Sequence, residues 1–188
     1  MNARPIVPLA SLAWSYAVVA LLLHASSRQH TVASVRCGVP PGKVLGGILH
    51  QAGFANLLIY RTTLIPSPEE LAWVLKSPLA DSAGGAVRRA TRDLLRCSRT
   101  RFLLDEAEIL ALGAKPTVKL PDPDSFTGPQ GPTLITMSAV GFDSDSSLAA
   151  VYWQYHCGFL CAGATITFLT RTPDGGWSPW KSQMFWIS

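Results

Sequence analysis

An α+β fold is predicted here, with an N-terminal helical half packed on a C-terminal antiparallel β-meander. Three observations carry it. A capped apolar–polar segment begins at Ser67, and a second helical segment with one arginine face and one apolar face covers residues 85–98. From residue 133 onward the chain is instead β-branched and aromatic, broken by turn residues at intervals of ten to fifteen. Helices first and strands later, without alternation, argue against a doubly wound α/β sheet.

The helical half is read as follows. Ser67-Pro68-Glu69-Glu70 is a helix start: Ser67 supplies a cap, Pro68 fits the first helical position and Glu70 completes a capping box. Pro78 ends that helix. Over 85–98, Val87, Ala90, Leu94 and Cys97 form one side, while Arg88, Arg92, Arg96 and Arg99 repeat at steps of four and three on the other. Residues 102–112, with Asp105, Glu106 and Glu108, are a candidate third short helix. Upstream, residues 43–60 are mixed around Gly46-Gly47 and yield one short buried strand, 57–60. Residues 113–132 contain five prolines and read as an irregular connection.

The meander has four strands: 133–142, 148–157, 161–171 and 177–187. Turns are expected at Asp143-Ser144-Asp145-Ser146-Ser147, Gly158-Phe159-Leu160 and Pro173-Asp174-Gly175-Gly176. Period-two alternation puts Leu148, Ala150, Tyr152, Ile166 and Phe168 on a face that packs on the helices. Val151, Trp153, Tyr155, Thr165 and Thr167 fall on the other. That second face, with Trp177, Trp180 and Trp186 nearby, has two readings: an aromatic binding surface for a partner or glycan-like ligand that includes Trp153 and Tyr155, or a second small core covered by the Pro-rich connection.

The N-terminus predicts export. Arg4, an apolar run over 6–23 and the small residues Ala25-Ser26-Ser27 form a secretory signal pattern with cleavage after Ser27; the alternative is an uncleaved inner-membrane anchor at 6–23. The organisation is then a leader at 1–27, a polar and Pro-rich segment at 28–42, and one domain at 43–188. An exported chain with four cysteines calls for disulfides. Of three possible pairings, Cys157 with Cys161 is favoured, because they flank a three-residue reversal that puts their Cα atoms opposite each other across the hairpin; that leaves Cys37 for Cys97 if the two meet. His156 points to the opposite face of its strand, so a Cys157/Cys161/His156 metal site or a Cys–His catalytic pair cannot converge without a bulge. Asp143-x-Asp145-x-Ser147 lacks the Gly and Glu of a calcium loop and reads as a turn.

The net charge of +4 is too small to argue for nucleic acid. Six arginines between Arg88 and Arg101 face one nearby acid, Asp93; Arg88, Arg92 and Arg96 are accordingly a candidate surface for an anionic or protein partner, against the reading of a solvated helix face. Standard nucleotide, hydrolase and metalloprotease motifs are lacking, and no cofactor or catalytic residue is assigned. Ser138-Ala139-Val140-Gly141-Phe142, Ala149-Ala150-Val151-Tyr152, Cys157-Gly158-Phe159-Leu160-Cys161-Ala162-Gly163, Gly176-Trp177 and Trp186-Ile187-Ser188 together resemble an uncharacterised family of bacterial secreted proteins. Its pattern reads S-x-V-G-F, A-x-V-Y, C-G-x-L-C-G-x-G, G-x-W and W-I-S. The resemblance covers the last third of the chain and implies export and fold, with no activity; the meander with its Gly176-Trp177 turn is also similar, as fold analogy alone, to the ends of cystatin-like and NTF2-like domains. The expectation is an exported binding or interaction domain. The alternatives are a small exported enzyme using isolated polar groups such as His50 or Tyr60, and a membrane-tethered domain.

Overall fold

Eleven residues around Gly46 and Gly47, which show no clear period in the sequence, form the helix α1 (Gly42–Ala52). The reason is tertiary. A Cβ on Gly47 would lie 2.8 Å from Leu169 Cδ2 and 3.1 Å from the Trp177 carbonyl oxygen, so the glycine lets the helix backbone approach the sheet. The structure, a computed structural model, describes residues 37, 42–53, 56–119, 132–158 and 161–188. The expected leader, almost all of the segment at 28–42, most of the Pro/Gly-rich connection and the tip Phe159-Leu160 lie outside the described residues.

After α1 come β1 (Leu57–Tyr60), α2 (Pro68–Lys76), a 3₁₀ segment (Pro78–Gly85), α3 (Ala86–Cys97), α4 (Glu106–Ala111), β2 (Lys115–Thr117), β3 (Thr133–Phe142), β4 (Leu148–Gly158), β5 (Cys161–Arg171) and β6 (Trp177–Ile187). The class is α+β, as predicted. The strands form one mixed sheet in the order β2-β1-β3-β4-β5-β6. The four-strand meander is antiparallel, but β1 adds to β3 in parallel and β2 adds to β1 in parallel. The Lys115–Thr117 strand corrects the expectation of irregular chain from residue 113. Pro116 is tolerated there because β2 is an edge strand.

Each face of the sheet is covered. Leu148, Ala150, Tyr152, Ile166 and Phe168 pack with Leu71 and Val74 of α2 and Val87, Ala90 and Leu94 of α3, as the alternation predicted. On the opposite face Val151, Trp153 and Tyr155 pack with Val44, Leu45, Ile48 and Leu49 of α1 and Ile109 of α4. The Ser67 cap forms as read, its Oγ accepting hydrogen bonds from the Glu69 and Glu70 backbone N–H groups, but the Glu70 side chain turns to the Tyr152 phenol instead of closing a capping box. Along α3, Val87, Ala90 and Leu94 are fully buried; of the expected arginine face, Arg92 and Arg96 are exposed, as is Arg99 just past the helix, whereas Arg88 is half-buried.

A bulge in β3 sets which face its last residues take. The ladder pairs Met137 with Trp153 and Val140 with Val151, so one residue is inserted between them. Ser138 Oγ accepts the Tyr152 N–H at 3.0 Å and donates to the Ala139 carbonyl at 2.7 Å, satisfying the interrupted ladder. The extra residue swings Val140 and Phe142 toward α1 and Gly141 toward α3. Phe142 N–H then donates to Asp93 Oδ2 of α3 at 3.0 Å. In this chain, therefore, the S-x-V-G-F residues hold the sheet to its two helical layers.

Both expected disulfides are present. Cys37 is bonded to Cys97, with Cα atoms 4.8 Å apart, and Cys157 to Cys161, with Cα atoms 5.0 Å apart. One detail of the hairpin differs from expectation. Cys161 pairs with Gly158 in the ladder, His156 pairs with Ala162, and Cys157 is the extra residue of a bulge. Gly158, at φ 140°, permits this irregular backbone. Among the described residues, no helix is long and apolar enough to cross a membrane.

Candidate functional site

Trp153 and Tyr155, the expected aromatic binding surface, are core residues at 5% and 8% exposure. Burial is affordable for Trp153 because its indole N–H is satisfied: it donates to Thr167 Oγ1 at 3.0 Å. Thr167 also bonds Gln51 Oε1 (3.2 Å) and Ser182 Oγ (3.0 Å), and Gln51 Nε2 donates to Ser182 Oγ at 2.7 Å. This chain of polar groups clasps the end of α1 to β5 and β6. Tyr155 lies over Gly163, where a Cβ would stand 2.6 Å from the phenol oxygen. The second face is thus a second core, and the described part of its cover is helical.

The arginine face is partly neutralised. Arg88 Nη2 bonds Asp81 Oδ1 at 2.6 Å while Nη1 donates to the Leu75 carbonyl at 3.1 Å, so this side chain staples α3 to the 3₁₀ segment and to the end of α2. Arg96 pairs with Asp93 at 2.6 Å. Arg92 remains exposed to solvent.

Among the described residues no set of three metal-ligating side chains forms around His156. The sulfurs of Cys157 and Cys161 are bonded to each other and pack against the α1-side core. The His156 ring instead faces Trp186, with centroids 6.5 Å apart. Asp143 is 2% exposed and spends its carboxylate on the turn, accepting from Leu148 N–H (2.9 Å) and Ser147 Oγ (3.1 Å). His50 is exposed and lines a recess with Gln51, Pro179, Trp180, Lys181 and Ser182; Tyr60 is not part of it. A wider recess of about 620 Å³ surrounds Arg61, but that guanidinium is held by Glu106 at 2.9 Å.

The recess with the most distinct chemistry lies between the start of α2 and the end of β6. It has a volume of about 330 Å³ and is lined by Glu69, Glu70, Trp73, Met184, Phe185 and Trp186. Two local features build it. On α2, Leu71 and Val74 turn into the core, leaving Glu69, Glu70 and Trp73 on the outer side. On β6, Ala164 pairs with Trp186 and Thr165 with Met184, so Phe185 is the extra residue of a bulge. A regular strand would send Phe185 away from its neighbours; the bulge brings three consecutive side chains to one recess. Trp73 is 51% exposed, Met184 49% and Trp186 37%. The Trp73 and Phe185 rings meet edge-on, 6.2 Å apart at 72°.

Below the recess lies the Tyr152 phenol. It accepts from Gln154 Nε2 at 3.0 Å and packs on Phe185, ring centroids 5.6 Å apart. Burial raises its pKa to about 12, and its bond to the negative Glu70 carboxylate adds to that rise. An unfolded tyrosine titrates near 10. The folded state therefore holds its proton more tightly, and this stability is complete below pH 10 and is lost as pH rises toward 12. The expected loss is roughly 2–3 kcal/mol across that window. Denaturant midpoints at pH 9 to 12 for the protein and for Tyr152→Phe check this; a decline equally steep in the variant contradicts it.

Of these lining residues, only Glu69, Glu70 and Trp186 stood out in the sequence, the first two as helix-start residues and the third as part of the closing W-I-S. The available signal was Trp73 on the polar side of a capped helix, three residues beyond Glu70. Comparison with protein-family models, curated proteins and solved structures finds no match to this chain.

Proposed function

We propose that the chain is an exported binding domain whose ligand site is the recess between α2 and β6. The observation that carries this reading is the exposure of Trp73 and Trp186 beside two carboxylates, since large aromatic side chains left in solvent around a concave site mark recognition surfaces. Export is supported by the two disulfides, which persist in oxidising compartments, and by the leader pattern at 1–27. The resemblance of the C-terminal third to bacterial secreted proteins agrees with it.

The test uses protein recovered from an exported fraction. Its intact mass should correspond to a chain starting at Arg28 and lacking four hydrogens for the two disulfides. Retention of Met1 would instead support the membrane-tethered form. Ligand-detected NMR against small cations, neutral sugars and short peptides should then show saturation transfer from at least one class. The signal should vanish in the Trp73→Ala/Trp186→Ala double variant. Transfer that persists unchanged in the variant, or none from any class, rejects the recess as the ligand site.

A further inference from the structure

We propose that this recess selects an organic cation of the quaternary-ammonium class, an inference that rests on reading the recess as the ligand site. Three features lead to it. The walls are aromatic: the faces of Trp73, Phe185 and Trp186 carry the negative lobe of the ring quadrupole, which attracts a cation within about 6 Å of a centroid. The rim is anionic, with Glu69 and Glu70 in the first turn of α2. The Ser67 hydroxyl donates to Glu69 Oε2 at 2.5 Å and keeps that carboxylate ionised, below the usual carboxylate range. The described lining holds no Lys or Arg, in a chain whose net charge is +4. The recess is thus a local inversion of sign on a basic protein.

The same features disfavour other small ligands. A sugar needs several directed donors and acceptors around its ring, and this lining offers carboxylates but no amide or hydroxyl side chain. An anion meets repulsion. A primary ammonium ion is strongly hydrated and gains less from apolar walls. A methylated ammonium places weakly hydrated N-methyl groups against Trp73, Trp186 and Met184 while its charge faces the two carboxylates. The volume of about 330 Å³ suits a headgroup-sized ligand. The chain already makes one such contact elsewhere, with Lys181 Nζ lying 4.6 Å from the Trp180 ring centroid.

Choline chloride is the probe, with 3,3-dimethyl-1-butanol as its uncharged isostere. Titrations of the mature protein, followed by tryptophan fluorescence and methyl saturation transfer, should show saturable choline binding and an isostere weaker by roughly three- to fivefold or more. Glu69→Gln should weaken choline by a similar factor and leave the isostere unaffected. Trp73→Ala should weaken both. Phosphatidylcholine vesicles separate the two sources of this group: sedimentation with vesicles that choline reverses identifies a lipid headgroup, and choline binding without vesicle binding identifies a free cation. Equal affinity for choline and its isostere overturns the cation inference, and that comparison needs no variant. If a sugar or peptide engages Trp73 and choline does not, the cation class fails while the ligand site stands. If nothing engages Trp73, both fail.

Discussion

Gly141→Ala should be among the most damaging single substitutions in the described core. The bulge in β3 presses Gly141 against the backbone of α3, and a methyl group there would overlap the Ala90 carbonyl oxygen and the Leu94 N–H and lie 2.6 Å from Leu94 Cα. All three are main-chain atoms of a helix, so no rotamer change relieves the clash. Accommodation requires α3 to lift from the sheet, which opens the core at Leu94 and stretches the Phe142 N–H to Asp93 bond. Overpacking ordinarily costs about 1–3 kcal/mol, and an unyielding backbone puts this case at about 3 kcal/mol or above. For a domain of this size that is roughly 6–12 °C in Tm. Gly42→Ala is the control, because its new methyl would meet only the flexible Glu108 side chain, at 3.2 Å or more. Thermal melts of the two variants check the contrast, and a Gly141→Ala protein melting within 2 °C of its parent refutes the packing argument.

Removing the Cys37–Cys97 bond should cost more than removing the Cys157–Cys161 bond. The first closes a separation of 60 residues and ties the chain before α1 to the buried end of α3; the second closes a separation of four. If the gain is mainly the entropy denied to the unfolded chain, the long loop contributes about 4 kcal/mol and the short one about 2 kcal/mol. Cys157–Cys161 then acts chiefly on hairpin register, where the bulge at Cys157 would otherwise be free to slide. Urea midpoints of the Cys37→Ala/Cys97→Ala and Cys157→Ala/Cys161→Ala proteins, each compared with the parent, measure the difference. The opposite order would show that native-state packing around the hairpin tip outweighs loop entropy.

Local physics made much of the fold legible in the sequence. The cap at Ser67, the two-sided pattern of α3 and the period-two strands of the meander are each specified by residues within a few positions of one another, and the structure contains all of them. Cysteine parity and hairpin spacing favoured the pairing that is found, but that Cys37 meets Cys97 was decided by the tertiary structure. Only tertiary structure decided the rest. α1 was hidden because Gly46 and Gly47 weaken a helical pattern, although Gly47 is what lets the helix lie close to Leu169 and Trp177. β2 was hidden because three residues containing a proline read as loop until β1 offers an edge to pair with. Trp153 and Tyr155 looked available as a surface until α1 covered them and Thr167 Oγ1 accepted the hydrogen bond of the Trp153 indole N–H. The recess depends on a bulge at Phe185, and a bulge is set by the register of two strands distant from α2 in sequence. Local periodicity determines which residues form an element and which side of it is apolar. It does not determine which element arrives on the other side, because that depends on loop closure and close packing across the whole chain.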